Sequence, residues 1–139
     1  MKTCGSRLSL FAYGSLILPE VYEAVTGVAR VGLPVTASGF ARFALKGRSY
    51  PGLIAWPGGA VQGMLYANLE REEWRRLDAF EDDFYVRQSL IVMHALGEKG
   101  FAEAYLIRSD RYEVLEAEGW CLDTFTRTAL APFLARISG

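Results

Sequence analysis

The acidic segment that follows Leu77 contains the residues best suited to proton transfer. Glu81, Asp82 and Asp83 succeed one another there, and Glu81 comes four residues after Leu77. That spacing continues the apolar face of an amphipathic helix, so we expect Glu81 to face protein where the helix ends. The negative end of a helix dipole and neighbouring acids both raise the pKa of a carboxyl group. Glu81 is therefore a candidate for accepting and returning a proton near neutral pH, and the alternative is a solvated acidic turn.

The same acidic cluster can also be interpreted as a divalent-metal site. Its members would be Asp78, Glu81, Asp82 and Asp83. Their spacing lacks the regular oxygen-ligand pattern of a calcium-binding loop, and His94 is the only histidine of the chain. We therefore expect no metal ion at this cluster.

A second candidate site is the turn Tyr13-Gly14-Ser15-Leu16. It follows a predicted strand over 8–12, in which apolar residues alternate with others. It precedes a predicted helix over 20–26, which Pro19 opens and Gly27 closes. Backbone N–H groups exposed beside a helix start suit the binding of an anionic or carbonyl oxygen, so the turn is a candidate binding site.

Other interpretations of this turn exist. Ser15 as a hydrolase nucleophile would need a Gly-x-Ser-x-Gly pattern and a histidine base, which the residues around it do not supply. A phosphate-binding loop would need further glycines or a lysine after the turn. A tight turn with Gly14 at positive φ, and no further role, stays open.

Arg48 and Tyr50 come just before Pro51 and are predicted to project a cation and a phenol from a fixed turn. Basic residues near Phe40 and Phe43 suggest, as an alternative, a platform for single-stranded nucleic acid. The formal net charge of the chain is only -1, which disfavours a polyanionic partner. We therefore expect no nucleic acid as partner.

Turn residues and hydrophobic spacing predict the remaining elements. Gly63 predicts a β-bulge or a close backbone approach. A helix is expected from Glu70, and Pro132 predicts a kink or break in a second helical stretch over 120–137. In the helix predicted from Glu70, the charged residues expected on the solvent side are Glu72, Glu73, Arg75 and Arg76. Strands are expected over 34–45, 54–56, 61–69, 84–93 and 101–107, with 54–56 and 61–69 forming a hairpin around Pro57-Gly58-Gly59.

The composition is that of an ordinary globular domain, which we expect to span residues 1–139. The chain is 51% hydrophobic and 22% charged, so it can form a core. Cys4 and Cys121 lie near opposite ends without a Cys-x-x-Cys pattern and are expected to be reduced thiols. Proline and glycine interrupt the uncharged stretch 49–69, so we expect no membrane association. Without a recognisable signal sequence, a cytoplasmic location is the expectation.

Taken together, the chain resembles the γ-glutamylcyclotransferase-like superfamily and, within it, the AIG2-like proteins. The matching segments occur in the family's order and cover most of the chain. They are 10–16, 38–43, 46–51, 61–63, 77–81 and 85–87. The resemblance implies an α+β fold in which a mostly antiparallel sheet curls into a small barrel-like roll with flanking helices.

The resemblance also implies a reaction. The α-amino group of a γ-glutamyl amide would attack its own γ-carbonyl, forming 5-oxoproline and releasing a free amine. Glu81 would be the catalytic acid/base, and the turn made by Tyr13, Gly14, Ser15 and Leu16 would cradle the γ-glutamyl portion. Many relatives carry glycine directly after that glutamate, whereas this chain has Asp82.

Further side chains are candidates for substrate binding on this hypothesis: Arg48, Tyr50, Tyr85 and Arg87. Arg87 follows Tyr85 by two residues, so both should lie on one strand face, where Arg87 could either offset the negative charge around Glu81 or hold a substrate carboxylate. We expect a small-molecule γ-glutamyl amine or amide as partner and no cofactor. The competing hypothesis is a non-catalytic binding or regulatory module of the same fold, in which Glu81 only hydrogen-bonds a ligand.

Overall fold

The computed structural model describes residues 7–138, so Cys4 lies outside the described residues. One sheet and four α-helices make up the fold, with short 3₁₀ helices at Ser15–Ile17 and Ser109–Val114. The strands are β1 Leu10–Ala12, β2 Leu33–Leu45, β3 Pro51–Tyr66, β4 Tyr85–His94, β5 Lys99–Ile107 and β6 Leu115–Gly119. The helices are α1 Pro19–Thr26, α2 Arg71–Phe80, α3 Leu122–Thr128 and α4 Leu130–Ser138.

The sheet closes into a barrel of five strands. The strands are hydrogen-bonded in the order β3, β1, β5, β4, β2, and β2 pairs again with β3 to close the ring. Among the strands of residues 7–138, only the β1–β5 pair is parallel, and β6 adds to β2 outside the ring. The predicted α+β fold with a mostly antiparallel, barrel-like roll is therefore confirmed.

The prediction of a hairpin around Pro57-Gly58-Gly59 is wrong. The segments on either side belong to one long strand, β3, because both pair with β2. The pairing register shifts between Ser38 and Phe40, opposite the predicted turn, and Gly39 and Gly58 adopt φ values of 88° and 85° there. The proline and glycines thus form a bulge that bends the strand pair without ending it.

Strand β1 is buried between two parts of the core. Leu10 and Ala12 pack with the helices, whereas Phe11 and the following Tyr13 pack inside the barrel. Neighbouring strand β3 comes so close that a Cβ atom built on Gly63 would lie 2.3 Å from the carbonyl oxygen of Ala12. This confirms the predicted close backbone approach at Gly63 and holds the end of β1 in a fixed position.

Helix α2 differs from the prediction in one charged residue. Glu73, assigned to the solvent side, is only 1% exposed. Its carboxylate accepts hydrogen bonds from Arg30 and Tyr22, and its Oε2 atom also accepts the N–H of Glu70 in a capping box. Helical spacing alone missed this, since partners distant in sequence compensate the burial of the charge.

The other helix predictions agree with the structure. Pro19 is the first residue of α1, and Gly27 ends that helix at a φ of 78°. The stretch predicted over 120–137 is broken at Ala129, and Pro132 lies in the first turn of α4, where its missing N–H costs nothing. No helix within residues 7–138 is both long enough and apolar enough to cross a membrane.

Candidate active site

A cleft of about 490 Å³ lies where the end of β1 meets the end of α2. Its walls come from five parts of the chain: β1 with the turn after it, the loop before β3, the junction between α2 and β4, strand β5 and helix α4. Predicted site residues lining it are Tyr13, Gly14, Ser15, Leu16, Arg48, Tyr50, Glu81 and Tyr85. The fold thus brings residues that are far apart in sequence into one cleft.

Glu81 is the residue that ends helix α2. Its N–H donates to the carbonyl oxygen of Leu77 at 3.1 Å, while its own φ and ψ of -74° and 144° are already extended. The backbone change directs the carboxyl group into the cleft. Enclosure by the protein, followed by the charges of Asp82 and Asp78, raises the pKa of Glu81 to about 8. The carboxyl group can therefore exist in both protonation states near neutral pH.

The two aspartates beside Glu81 are held by tyrosines of the cleft. Tyr105 donates its hydroxyl proton to Oδ1 of Asp78 at 2.6 Å, and Tyr50 donates to Oδ2 of Asp82. Arg48 also pairs with Asp82, with Nε 3.6 Å from Oδ2. Within residues 7–138, the Glu81 carboxyl group has no such hydrogen-bond or ion-pair partner. It is thus the acid of this cluster left available to a ligand.

Two further tyrosines have fixed hydroxyl groups. Tyr13 donates to the carbonyl oxygen of Tyr105 at 2.5 Å, and Tyr85 donates to the carbonyl oxygen of Pro51 at 2.6 Å. Burial raises the pKa of both phenols, so they stay neutral under ordinary conditions. They supply rigid, uncharged walls beside Glu81.

The predicted turn after β1 is a 3₁₀ helix. Its first internal hydrogen bond runs from the N–H of Ile17 to the carbonyl oxygen of Gly14 at 3.0 Å. The N–H groups of Gly14, Ser15 and Leu16 precede that bond, so none of them has a partner inside the short helix. Tyr66 fixes the helix by donating to the carbonyl oxygen of Leu16 at 2.7 Å.

Gly14 does not have the positive φ that the tight-turn interpretation expected, since its φ is -126°. A different constraint applies. A Cβ atom at this position would lie 2.7 Å from Cδ of Pro51, which is too close for a side chain. The glycine is required because the turn lies directly against the start of β3.

Arg87 does not line the cleft, although it was predicted to bind substrate. Its guanidinium carbon lies 4.4 Å from the centre of the Trp74 ring, and its Nη1 atom lies 3.4 Å from Asp78. Its Nε atom is also 3.6 Å from Glu103. The side chain thus lies against Trp74 and Asp78 of α2 and Glu103 of β5, and not in the cleft.

Several lining residues were not recognised as site residues from the sequence, among them Tyr105, Phe133 and Arg136. Tyr105 lies on β5, and the other two lie on α4, where no short motif marks them. The only signal was the apolar spacing over 120–137, which predicts packing.

The other interpretation of the acidic cluster is a metal site. Within residues 7–138, His, Cys, Asp and Glu side chains form no group of three or more that could hold a metal ion. The metal interpretation of the acidic cluster therefore has no support.

Comparison with known proteins gives sequence and structural relatives. A family described as gamma-glutamyl cyclotransferase, AIG2-like, matches residues 10–122. AIG2-like protein C of Arabidopsis thaliana is 35% identical over 116 residues, which cover 80% of this chain and 67% of that protein. AIG2-like protein D of the same organism is 30% identical over 118 residues, with coverages of 81% and 78%.

Solved structures show the same architecture. A solution structure of an Arabidopsis thaliana protein superposes with a TM-score of 0.73 at 25% identity, covering 96% of this chain and 90% of that one. A structure named gamma-glutamyl cyclotransferase superposes with a TM-score of 0.66 at 15% identity, with coverages of 95% and 86%. At such low identity, the second likeness concerns the fold alone.

Proposed function

Because the chain belongs to the gamma-glutamyl cyclotransferase, AIG2-like family, we propose that it converts a γ-glutamyl amide into 5-oxoproline and a free amine. The α-amino nitrogen of the substrate attacks the γ-carbonyl carbon, and a new C–N bond closes the ring. The original C–N amide bond breaks. Two protons move in total from the attacking nitrogen to the leaving nitrogen, and no water is consumed. The protein therefore needs to fold the substrate and move protons, without a nucleophile of its own.

Glu81 is the proposed proton carrier. As a carboxylate it accepts a proton from the substrate ammonium group, which frees the nitrogen lone pair for attack. As a carboxylic acid it then donates a proton to the leaving nitrogen. A pKa of about 8 suits both steps, because neither protonation state is strongly disfavoured near neutral pH.

The N–H groups at Gly14, Ser15 and Leu16 are the proposed donors to the substrate's carbonyl oxygen. Negative charge develops on that oxygen when the tetrahedral adduct forms, and backbone donors held in place stabilise it. The neutral phenols of Tyr13 and Tyr85 surround the acyl portion. The observation that carries the proposal is that Glu81, which has no hydrogen-bond or ion-pair partner for its carboxyl group among residues 7–138, lines the same cleft as this turn.

The decisive experiment compares the parent protein with Glu81→Gln on a panel of γ-glutamyl amides, with 5-oxoproline as the product measured. Loss of the proton carrier should lower kcat by roughly 10²- to 10⁴-fold. The kcat/KM of the parent should rise with pH up to about 8, because the carboxylate is the form that accepts the first proton.

A matched control is Asp83→Asn, which removes an exposed carboxylate two residues away that does not line the cleft. Its turnover should equal that of the parent. Equal turnover of Glu81→Gln and the parent would eliminate the proposed role of Glu81. Binding of γ-glutamyl amides without any turnover by the parent would favour the non-catalytic module.

A further inference from the structure

The cleft is lined by two arginines that differ in their surroundings. Arg48 is paired with Asp82, and its guanidinium carbon lies 4.8 Å from the centre of the Phe84 ring. Arg136, on α4, makes no ion pair with any carboxylate in the part of the chain that the structure describes. It is exposed at the rim of the cleft. Arg136 is therefore the cation that an anionic group of a ligand would meet unneutralised.

The wall beside Arg136 is apolar. Phe133 is buried, and its ring lies 6.2 Å from both Phe80 and Tyr50 in edge-to-face arrangements. Ile137 of the same helix also lines the cleft. The guanidinium carbon of Arg136 lies 5.6 Å from the centre of the Phe133 ring, so the cation and the apolar surface are adjacent. Together they suit a group that carries a carboxylate next to an aliphatic or aromatic side chain.

Helix α4 lies entirely after residue 122, the last residue that the family description matches. The β1 turn and Glu81 lie within the matched residues. Features shared by the family are expected to handle the part common to all substrates, which is the γ-glutamyl group. A wall whose sequence lies outside the matched residues is then the surface that can vary with the variable part of the substrate, which is the leaving amine.

We propose that Arg136 is a specificity-determining residue that binds a carboxylate on the leaving amine, while Phe133 and Ile137 contact an apolar side chain of that amine. This inference rests on the proposed function. It predicts a preference for amides whose amine is an apolar amino acid over amides of the same shape without the negative charge. Charge, and not size, should then separate good from poor substrates at this end of the cleft.

The test uses two substrates of nearly equal shape, γ-glutamyl-leucine and γ-glutamyl-leucinamide, with kcat/KM measured from 5-oxoproline release. The parent should prefer the carboxylate compound by about tenfold, the size of effect typical of one charge-assisted hydrogen bond at a partly exposed site. Arg136→Gln should lose this preference, and Arg136→Lys should keep part of it, since the charge remains but the planar fork is lost. Arg127→Gln, an exposed arginine on α3 outside the cleft, is the matched control and should keep the full preference.

Two results would overturn the assignment of Arg136. One is equal kcat/KM of the parent for both compounds, and the other is an equal loss on both compounds in Arg136→Gln. If the parent turns over neither compound, the proposed reaction fails. The role of Arg136 can then still be tested by measuring, with calorimetry, how tightly Glu81→Gln binds each of the two compounds. Tighter binding of γ-glutamyl-leucine, lost when Arg136→Gln is added, would support the assignment, and equal affinities would refute it.

Discussion

Glu73 and Glu81 lie at opposite ends of helix α2 and differ in every electrostatic respect. Glu73 is buried, with Nε and Nη2 of Arg30 at 2.6 and 2.7 Å from its two oxygens. The hydroxyl of Tyr22 adds a third hydrogen bond at 2.6 Å. Glu81 is partly exposed and has no such partner in the described residues.

The pKa values of the two glutamates move in opposite directions. Burial by itself would raise the pKa of Glu73, but hydrogen bonds from Arg30 and Tyr22 outweigh it and hold that pKa at about 2. Enclosure without a partner raises the pKa of Glu81 to about 8. The difference shows that partners decide whether an enclosed carboxyl group is a fixed structural charge or a group that can exchange protons.

Removing the partner of Glu73 should have the largest effect on stability. Arg30→Met leaves a buried carboxylate without its cation, and we expect the free energy of unfolding to fall by about 3 kcal/mol. Urea denaturation at neutral pH measures this change. Arg75→Met is the control, because Arg75 pairs with Glu72 on the exposed face of α2 and should matter little. Similar losses in the two variants would show that the buried Arg30–Glu73 pair stabilises the protein no more than the exposed Arg75–Glu72 pair.

Glu73→Gln tests the same pair through pH. Because the folded protein holds the pKa of Glu73 below the ordinary 4.5, its contribution is complete above pH 4.5 and is lost as the pH falls towards 2. The parent should therefore be more stable than Glu73→Gln by about 2 kcal/mol at neutral pH, and the gap should narrow in acid. Urea denaturation over this range gives the gap, and a constant gap would contradict the assignment.

Glu81→Gln should change the free energy of unfolding with the opposite pH dependence to Glu73→Gln, and by a smaller amount. The folded protein raises the pKa of Glu81, so its cost is absent below pH 4.5 and grows as the pH rises towards 8. We expect the variant to be more stable than the parent by about 1 kcal/mol near pH 8, a figure reduced for the partial exposure of the group. The two proteins should have equal stability in acid. A parent that is the more stable protein near pH 8 would refute the unpartnered state of Glu81.

Features decided by neighbouring residues were predictable from the sequence. The position of Glu81 follows from its spacing after Leu77, and Pro19 and Gly27 mark the ends of α1 correctly. The break before Pro132 likewise follows from the chemistry of one residue. Each of these conclusions needs only contacts within about one helical turn.

Features decided by distant residues were not predictable in the same way. The sequence around Pro57-Gly58-Gly59 predicts a turn, because local residues do not show that both flanking segments pair with β2. Helical spacing cannot reveal that Arg30 would make Glu73 tolerable in the core. Arg87 was predicted to bind substrate but lies outside the cleft, and Arg136, for which no role was predicted, lines it. The place of a long side chain depends on its tertiary neighbours, which local sequence does not show.

The contact of Gly14 with Pro51 joins two walls of the cleft, because the same proline accepts the hydroxyl of Tyr85 through its carbonyl oxygen. The ring of Pro51 restricts its own backbone, and Gly14 has no side chain, so the turn can lie directly against that ring. The width of the opening is thus preset before any ligand arrives. An incoming molecule loses its own freedom on entry but does not have to immobilise the protein as well, which lowers the entropic cost of association.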